Sequence, residues 1–271
     1  MSTAEKMKIV VAGGAGRMGR TLIDAITRAS DATLVGALEV SGSTSVGAMV
    51  GTEDGLGSEI RITADFAGTI PMGDCLIDFT RPEGTLAHLE VCVAHKKRAV
   101  IGTTGFSAGQ RKAIESAARQ IPIVFAPNMA VGVNATFRLA EVAAKILGDD
   151  FDVEIIEAHH RHKIDAPSGT ALRLGEVVAQ ALGRDLGAVA KHGRQGVTGE
   201  RDAKIIGFHA IRGGDIVGEH TVIFAGEGER VEVTVRSQSR MTYALGALRA
   251  CRFVMGKGPG LYDMQDVLGL R

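Results

Sequence analysis

Residues 8–20 read KIVVAGGAGRMGR, and the fold follows from the way this stretch breaks. Lys8 to Ala12 is a short β-branched run that ends in glycines, which reads as a buried strand. Gly14, Gly16 and Gly19 then fit GxGxxG, and from Arg17 onward Met18, Leu22, Ala25, Ile26 and Ala29 recur at helical spacing. Residues 33–38 read as the next strand. Strand, glycine turn, helix and strand within about thirty residues make a βαβ unit. In such a unit the first glycine makes the tight turn, the second lets a pyrophosphate approach the backbone, and the third lets helix and strand pack closely. The phosphates then meet the free N–H groups of the helix N-terminus. Glu39 lies 20 residues beyond Gly19 at the end of the second strand, where an acid accepts hydrogen bonds from adenosine ribose hydroxyls. Motif, element order and acid together predict a dinucleotide site. The alternative for the motif alone is a turn that packs a helix and binds nothing.

The alternation continues outward. Residues 75–79 (CLIDF) read as a strand, followed by a helix to about 95 with Thr80 as N-cap and Pro82 in its first turn. A strand at 99–101, a helix at 107–119 capped by Ser107, and a strand at 121–126 complete the series. Five strands alternating with helices predict an α/β fold with a Rossmann-type, doubly wound, mostly parallel sheet. The loops Gly102-Thr103-Thr104-Gly105 and Ala126-Pro127-Asn128-Met129 both follow strands, on the carboxyl edge that lines the ligand crevice of such sheets. They read as loops around the nicotinamide end, with an ordinary turn as the alternative for each. After a helix at 131–147 the pattern changes. A strand at 151–158, a polar loop at 159–166 and a helix at 168–182 precede a long polar stretch, 184–203. Strand-like runs at 204–212, 219–225 and 230–237 have glycine turns and no helices between them, which predicts an α+β domain with an antiparallel or mixed sheet. A helix at 241–255 and a short tail end the chain.

Composition narrows the class. Lys plus Arg is 31 and Asp plus Glu is 31, with no basic stripe, which argues against a nucleic-acid partner. The polar residues 1–6 lack the basic and apolar regions of a signal peptide, and no apolar run approaches membrane-spanning length. Cys75, Cys92 and Cys251 are widely spaced, without CxxC, and sit among apolar residues. They fit small buried hydrophobes in a reducing compartment. The expectation is a soluble cytoplasmic protein.

The most unusual stretch is EAHHRHKIDAPSGT, residues 157–170. Three His, an Arg and a Lys within five residues crowd together at a cost unless they are solvated or used. Ser168-Gly169-Thr170 opens a helix, and its exposed N–H groups with Lys163 nearby suit a substrate carboxylate. A metal site on His159, His160 and His162 is disfavoured: neighbouring strand residues point to opposite faces, and no HExxH pair is present. No metal is expected. A solvated basic loop and an acid-catalytic, carboxylate-binding segment remain, and the second is favoured because His supplies a group of near-neutral pKa.

EAHHRHKIDAPSGTA, together with AGGAGRMGR, IDFTRPEGTLAHL, VIGTTGF and GDIVGEHTVIFA, resembles the bacterial dihydrodipicolinate reductases (4-hydroxy-tetrahydrodipicolinate reductases) from about Lys8 to the end. The resemblance implies hydride reduction of a small dicarboxylate heterocycle by NADH or NADPH, with net loss of water, on the diaminopimelate route to lysine. It implies His159 as the acid/base residue, Lys163 as a second proton donor, and His160, Gly169 and Thr170 as carboxylate holders beside Lys163 and Ser168. It implies cofactor contacts at Gly13, Gly14, Ala15, Gly16, Arg17, Met18, Glu39, Gly102, Thr103, Thr104, Ala126, Pro127, Asn128 and Met129. It also implies a homotetramer assembled through the sheet of an inserted domain. The dinucleotide-binding domain would span 1–130, the substrate-binding and oligomerisation domain 131–240, and 241–271 would return to the first. Members that use NADPH well often carry Arg after the acid; here residue 40 is Val, which predicts NADH binding at least as good as NADPH binding, with Arg17 as another source of charge.

Two rivals stay open. An acylating semialdehyde dehydrogenase needs a nucleophilic Cys beside His, and none of the three Cys sits in such a loop. A nicotinamide-sensing module without catalysis would keep the glycine motif and have no use for His159 and Lys163.

Overall fold

The computed structural model describes residues 5–51 and 57–270. The first four residues of the polar N-terminal stretch lie outside the described residues. The chain divides into two compact units: Met1–Val131 with Arg240–Arg271, and Gly132–Ser239.

The first unit runs β1 (Met7–Ala12), α1 (Arg17–Arg28), β2 (Ala32–Leu38), β3 (Met49–Gly51), β4 (Gly57–Thr63), α2 (Phe66–Thr69), β5 (Cys75–Asp78), α3 (Pro82–Ala94), β6 (Arg98–Ile101), α4 (Ala108–Ala118) and β7 (Pro122–Phe125). The second runs α5 (Val131–Leu147), β8 (Asp152–His159), α6 (Gly169–Ala181), α7 (Leu186–Val189), β9 (Ala190–His192), β10 (Ile206–Arg212), β11 (Gly218–Ala225) and β12 (Arg230–Ser237). The chain then returns to the first unit as α8 (Met241–Met255), β13 (Gly260–Tyr262) and α9 (Met264–Leu268).

The strands of the first unit lie in the order β13-β7-β6-β5-β1-β2-β4-β3. All pairings are parallel except β3 with β4 at the edge. This is the predicted doubly wound sheet, and its direction of growth reverses between β1 and β5. Alternate residues of β1 enter opposite cores. Ile9 and Val11 pack with α1 and α8, while Val10 and Ala12 pack with α3 and α4. That two-sided burial is why KIVVA is a continuous apolar run rather than an alternating one. Gly246 allows α8 to rest on this unit, since a Cβ there would stand 1.8 Å from the Met129 carbonyl oxygen.

The second unit holds a mixed sheet in the order β12-β11-β8-β10-β9. β8, β10 and β9 are mutually parallel, and β11 is antiparallel to both of its neighbours. Val153, Ile155, Phe208, Val222 and Phe224 form its core with Leu174 and Val178 of α6.

Several elements escape the sequence reading. The polar stretch 184–203 contains α7 and β9. The segment after it is tied back to β8: Arg201 donates to Asp152 at 2.6 Å, Glu154 at 2.9 Å and the Val153 carbonyl at 2.9 Å, and Arg194 donates to Glu154 at 2.6 Å. The tail beyond α8 adds β13 beside β7. Thr80 is not the cap of α3. Arg81 holds that position, without a side-chain cap, because the Thr80 hydroxyl donates to Asp78 instead. No described helix is long and apolar enough to cross a membrane.

Candidate active site

In the second unit β8 and β10 run parallel, with His159 opposite Arg212 at their carboxyl ends. Residues two apart on a strand share a face, so Glu157 and His159 lie on the side of Val153 and Ile155. Glu157 is 1% exposed and accepts four hydrogen bonds. The two Nη groups of Arg212 donate at 2.7 Å each, Ser168 N–H donates at 3.1 Å, and His159 Nδ1 lies at 2.6 Å. Burial works against the charge on Glu157; the Arg212 and His159 hydrogen bonds outweigh it and hold the carboxyl below its ordinary range. An ionised carboxylate only accepts, so Nδ1 of His159 carries the proton and Nε2 is the bare nitrogen. Desolvation pulls the His159 pKa below its ordinary value, with Glu157 opposing. The ring is therefore neutral at neutral pH.

His220 packs edge-on against His159, with ring centroids 5.1 Å apart. Burial, and then the neighbouring His159, push its pKa down to about 4. Its Nε2 lies 2.9 Å from the Ser168 hydroxyl, and the same oxygen accepts Ala171 N–H at 3.2 Å to cap α6. Lys163 Nζ donates to both oxygens of Asp165 at 2.8 Å, which holds that carboxyl below its usual value. His160 Nδ1 is buried with no hydrogen-bond partner among the described residues. Gly169 at the start of α6 is exposed, a Cβ there would meet nothing within 4 Å, and the first turn holds no acid. An orphaned buried nitrogen, an ammonium and an open helix start together can receive carboxylates. Among the described residues no group of three or more His, Cys, Asp or Glu is arranged to hold a metal ion.

In the first unit the glycine loop is shaped by contacts that exclude side chains. Gly13 has φ +72, and a Cβ on Gly19 would stand 2.0 Å from the Gly13 carbonyl oxygen. Gly16 is the N-cap of α1, with no side-chain cap and no acid in the first turn. Such a helix start fits a pyrophosphate. Glu39 accepts from Ala15 N–H at 3.3 Å and Val40 N–H at 3.0 Å, which fixes its carboxylate beside the loop.

Comparison with known proteins agrees with both halves. The family described as "Dihydrodipicolinate reductase, N-terminus" matches residues 7–129, and "Dihydrodipicolinate reductase, C-terminus" matches 132–268. The chain belongs to the dihydrodipicolinate reductase family. It is 61% identical to the 4-hydroxy-tetrahydrodipicolinate reductase of Aromatoleum aromaticum, covering 98% of this chain and 96% of that one. It is 58% identical to that of Cupriavidus metallidurans, covering 98% and 100%. A dipicolinate-bound dihydrodipicolinate reductase from Paenisporosarcina sp. TG-14 shares the fold with TM-score 0.76 at 24% identity, covering 96% of this chain and 98% of that one.

Within this reductase the site residues expected from sequence fall into two groups. His159, His160, Lys163, Gly169 and Thr170 gather around the end of β8 and the start of α6. Ser168 joins them in place; it is 2% exposed, with its N–H on Glu157 and its hydroxyl between His220 and Ala171 N–H, where it caps α6. Among the residues expected from sequence at the cofactor, Thr103, Ala126 and Met129 are buried, whereas Arg17, Thr104 and Pro127 are exposed. Sequence reasoning gave no role to Glu157, Arg212 or His220. The Glu157-x-His159 spacing on a strand was a usable signal for the first. Arg212 and His220 lie more than fifty residues away from Glu157 and carry no local sign of it.

Proposed function

We propose that the chain reduces 4-hydroxy-tetrahydrodipicolinate to tetrahydrodipicolinate with NADH or NADPH, and that His159 and Lys163 move its protons. The observation that carries this assignment is the buried Glu157–His159 pair, which leaves Nε2 of a neutral imidazole unpaired at a strand end. A solvated basic loop would not bury His159 to 9% exposure beside a carboxylate gripped by Arg212.

When bound, the reduced nicotinamide supplies the hydride. Gly13 to Met18 hold its pyrophosphate on the start of α1, Glu39 receives the adenosine ribose, and residues 102–104 and 126–129 border the nicotinamide end. Net reduction consumes one proton and releases one water. Lys163 protonates the departing hydroxyl. His159 takes at Nε2 the proton on the carbon next to the one that loses its hydroxyl, the hydride goes to the carbon that lost it, and His159 returns the proton to the neighbouring carbon; Glu157 stabilises the charged ring between the two events. His160, Lys163 and the start of α6 at Gly169 and Thr170 hold the two carboxylates and so orient the ring. The enzyme works in the cytoplasm as a homotetramer assembled through the sheet of the second unit, where Ile211 is 52% exposed on β10.

The test is turnover of freshly made substrate by wild type, His159→Gln and Lys163→Ala, followed by nicotinamide absorbance. Each variant is expected to lose about 10² to 10⁴ in kcat, the usual worth of a general acid, with cofactor affinity near normal. A change confined to KM reassigns both residues to binding. Sedimentation of the purified protein tests the tetramer.

A further inference from the structure

We infer that Asp78 is a positioning residue for the nicotinamide cofactor, a buried carboxylate that ties together the loops leaving three adjacent strands. The inference rests on the reading above that the cofactor lies along the carboxyl edge of the first unit's sheet. Asp78 is the last residue of β5 and is fully buried. Its register partners are Ala12, the last residue of β1, and Ile101, the last residue of β6. It therefore stands at the point where the sheet's direction of growth reverses, the place where open α/β sheets receive ligands.

Its hydrogen bonds run sideways to the loops and not into the strand ladder. Oδ1 accepts the Thr80 N–H at 2.9 Å, the Thr80 hydroxyl at 2.6 Å and the Thr103 hydroxyl at 3.3 Å. Oδ2 lies 2.8 Å from Nδ1 of His88 on α3. The Thr103 oxygen also accepts the Thr85 hydroxyl at 2.9 Å. Through these partners Asp78 sets both flanking loops. A Cβ on Gly13 would come within 3.1 Å of the Thr80 methyl, so Thr80 gauges the glycine loop. A Cβ on Gly102 would stand 2.1 Å from the Phe79 ring, so the residue after Asp78 gauges the loop beyond β6.

A buried carboxylate is costly, and a neutral residue would pack here with less desolvation. The two apolar cores hold the sheet from both faces without it. What the carboxylate adds is geometry: several donors from three chain segments converge on one group. The Thr103 side chain is turned inward to Asp78, which leaves the Gly102 and Thr103 backbone and the exposed Thr104 toward a ligand.

The experiment compares Asp78→Asn, Thr103→Val and Thr103→Ser with wild type. It reads NADH affinity by isothermal titration, the KM values for NADH and for the dicarboxylate, and melting temperature. Asp78→Asn is expected to weaken NADH binding by about tenfold or more, the scale of a lost charged hydrogen bond, and to raise the KM for NADH in parallel. Thr103→Val is expected to shift both in the same direction by a smaller factor, and Thr103→Ser to restore them. Should Asp78→Asn fail to fold, Thr103→Val carries the test, because the carboxylate keeps its other donors. Wild-type NADH affinity in folded Asp78→Asn, or in Thr103→Val, overturns the inference alone. Absence of NADH and NADPH binding by wild type overturns it together with the reading on which it rests.

Discussion

The two units build their sites from opposite materials. The proposed cofactor site at the glycine loop of the first unit is backbone, shaped by side chains that are missing: a Cβ at Gly19 would collide with the Gly13 carbonyl oxygen at 2.0 Å. At the end of β8 in the second unit the candidate site is made of side chains that are present and interlocked, with the partly buried Arg212, the buried Glu157 and the neutral His159 ring in one chain of hydrogen bonds. A backbone site tolerates changes around it but not within it. A side-chain network shares its partners, so the loss of one member is felt by all.

The largest expected effect breaks the network. Glu157→Ala takes from the partly buried Arg212 its bidentate carboxylate partner and frees the His159 ring. Breaking a fully buried pair typically costs about 3–5 kcal/mol; Arg212 can still reach solvent, so the loss should fall at or below the low end of that range, and turnover should drop at least as far as in His159→Gln. Glu157→Gln keeps the shape and separates the effects. Its fold should survive, while the acid limb of kcat/KM, where His159 becomes protonated before substrate binds, moves to lower pH, because the charge that favours the protonated ring is gone. An unchanged pH profile in Glu157→Gln would remove Glu157 from the proton chemistry.

The backbone site should break differently. Gly16→Val places a branched side chain at the N-cap of α1, where its Cβ meets only the Gly13 oxygen at 3.2 Å. The fold is expected to persist, with circular dichroism and melting near wild type. The pyrophosphate loses its approach, and nicotinamide binding should become undetectable by titration. Tight NADH binding by this variant would show that the loop only packs a helix.

This contrast also explains what was legible in the sequence. The glycine loop is local: motif, strand, helix and Glu39 fall within about thirty residues, so the order of residues displays the βαβ unit and the proposed site on it. The strands buried on both faces were equally plain. In the second unit the segment around His159 announced itself by composition, yet its organisation is not local. Arg212 reaches Glu157 across 55 residues, and Ser168 reaches His220 across 52. The same reason hid the anchoring of the polar stretch, where Arg201 finds Asp152 across 49 residues. Thr80 misled because a cap residue and a partner of Asp78 look alike in sequence, and only the fold says which hydrogen bond forms. β13 is three residues long and exists because β7 offers an edge.

A milder prediction follows from His220. Its pKa falls from an ordinary value near 6.5 to about 4 on folding. Between those values the unfolded chain binds a proton that the folded chain refuses. Stability therefore declines as pH falls from about 6.5 through about 4, by roughly 2 kcal/mol once coupling to His159 is allowed for. His220→Gln should flatten that part of the stability curve and leave the alkaline side unchanged. A wild-type slope in the variant would assign the acid loss to other groups.

The smallest expected effect returns to the backbone site and asks how far one added side chain can retune it. Val40 is 70% exposed and follows Glu39, whose carboxylate is held by Ala15 and Val40 N–H groups. A 2′-phosphate placed there would meet the Glu39 charge, and the residue that follows Glu39 is an uncharged Val. NADH should therefore bind at least as well as NADPH, and titration with both cofactors tests this. Val40→Arg adds a guanidinium at an exposed position, where it can pair bidentately with the phosphate. Exposed pairs are weak and screened, so the gain in NADPH affinity should be roughly tenfold or less at low salt and shrink as ionic strength rises. NADH affinity should hardly move, because its ribose carries no phosphate for the guanidinium to meet. An equal gain for both cofactors would mean that the new charge acts on the shared pyrophosphate. A strong NADPH preference in the wild type would mean that the charge is already supplied, with Arg17 at the start of α1 a candidate to substitute next.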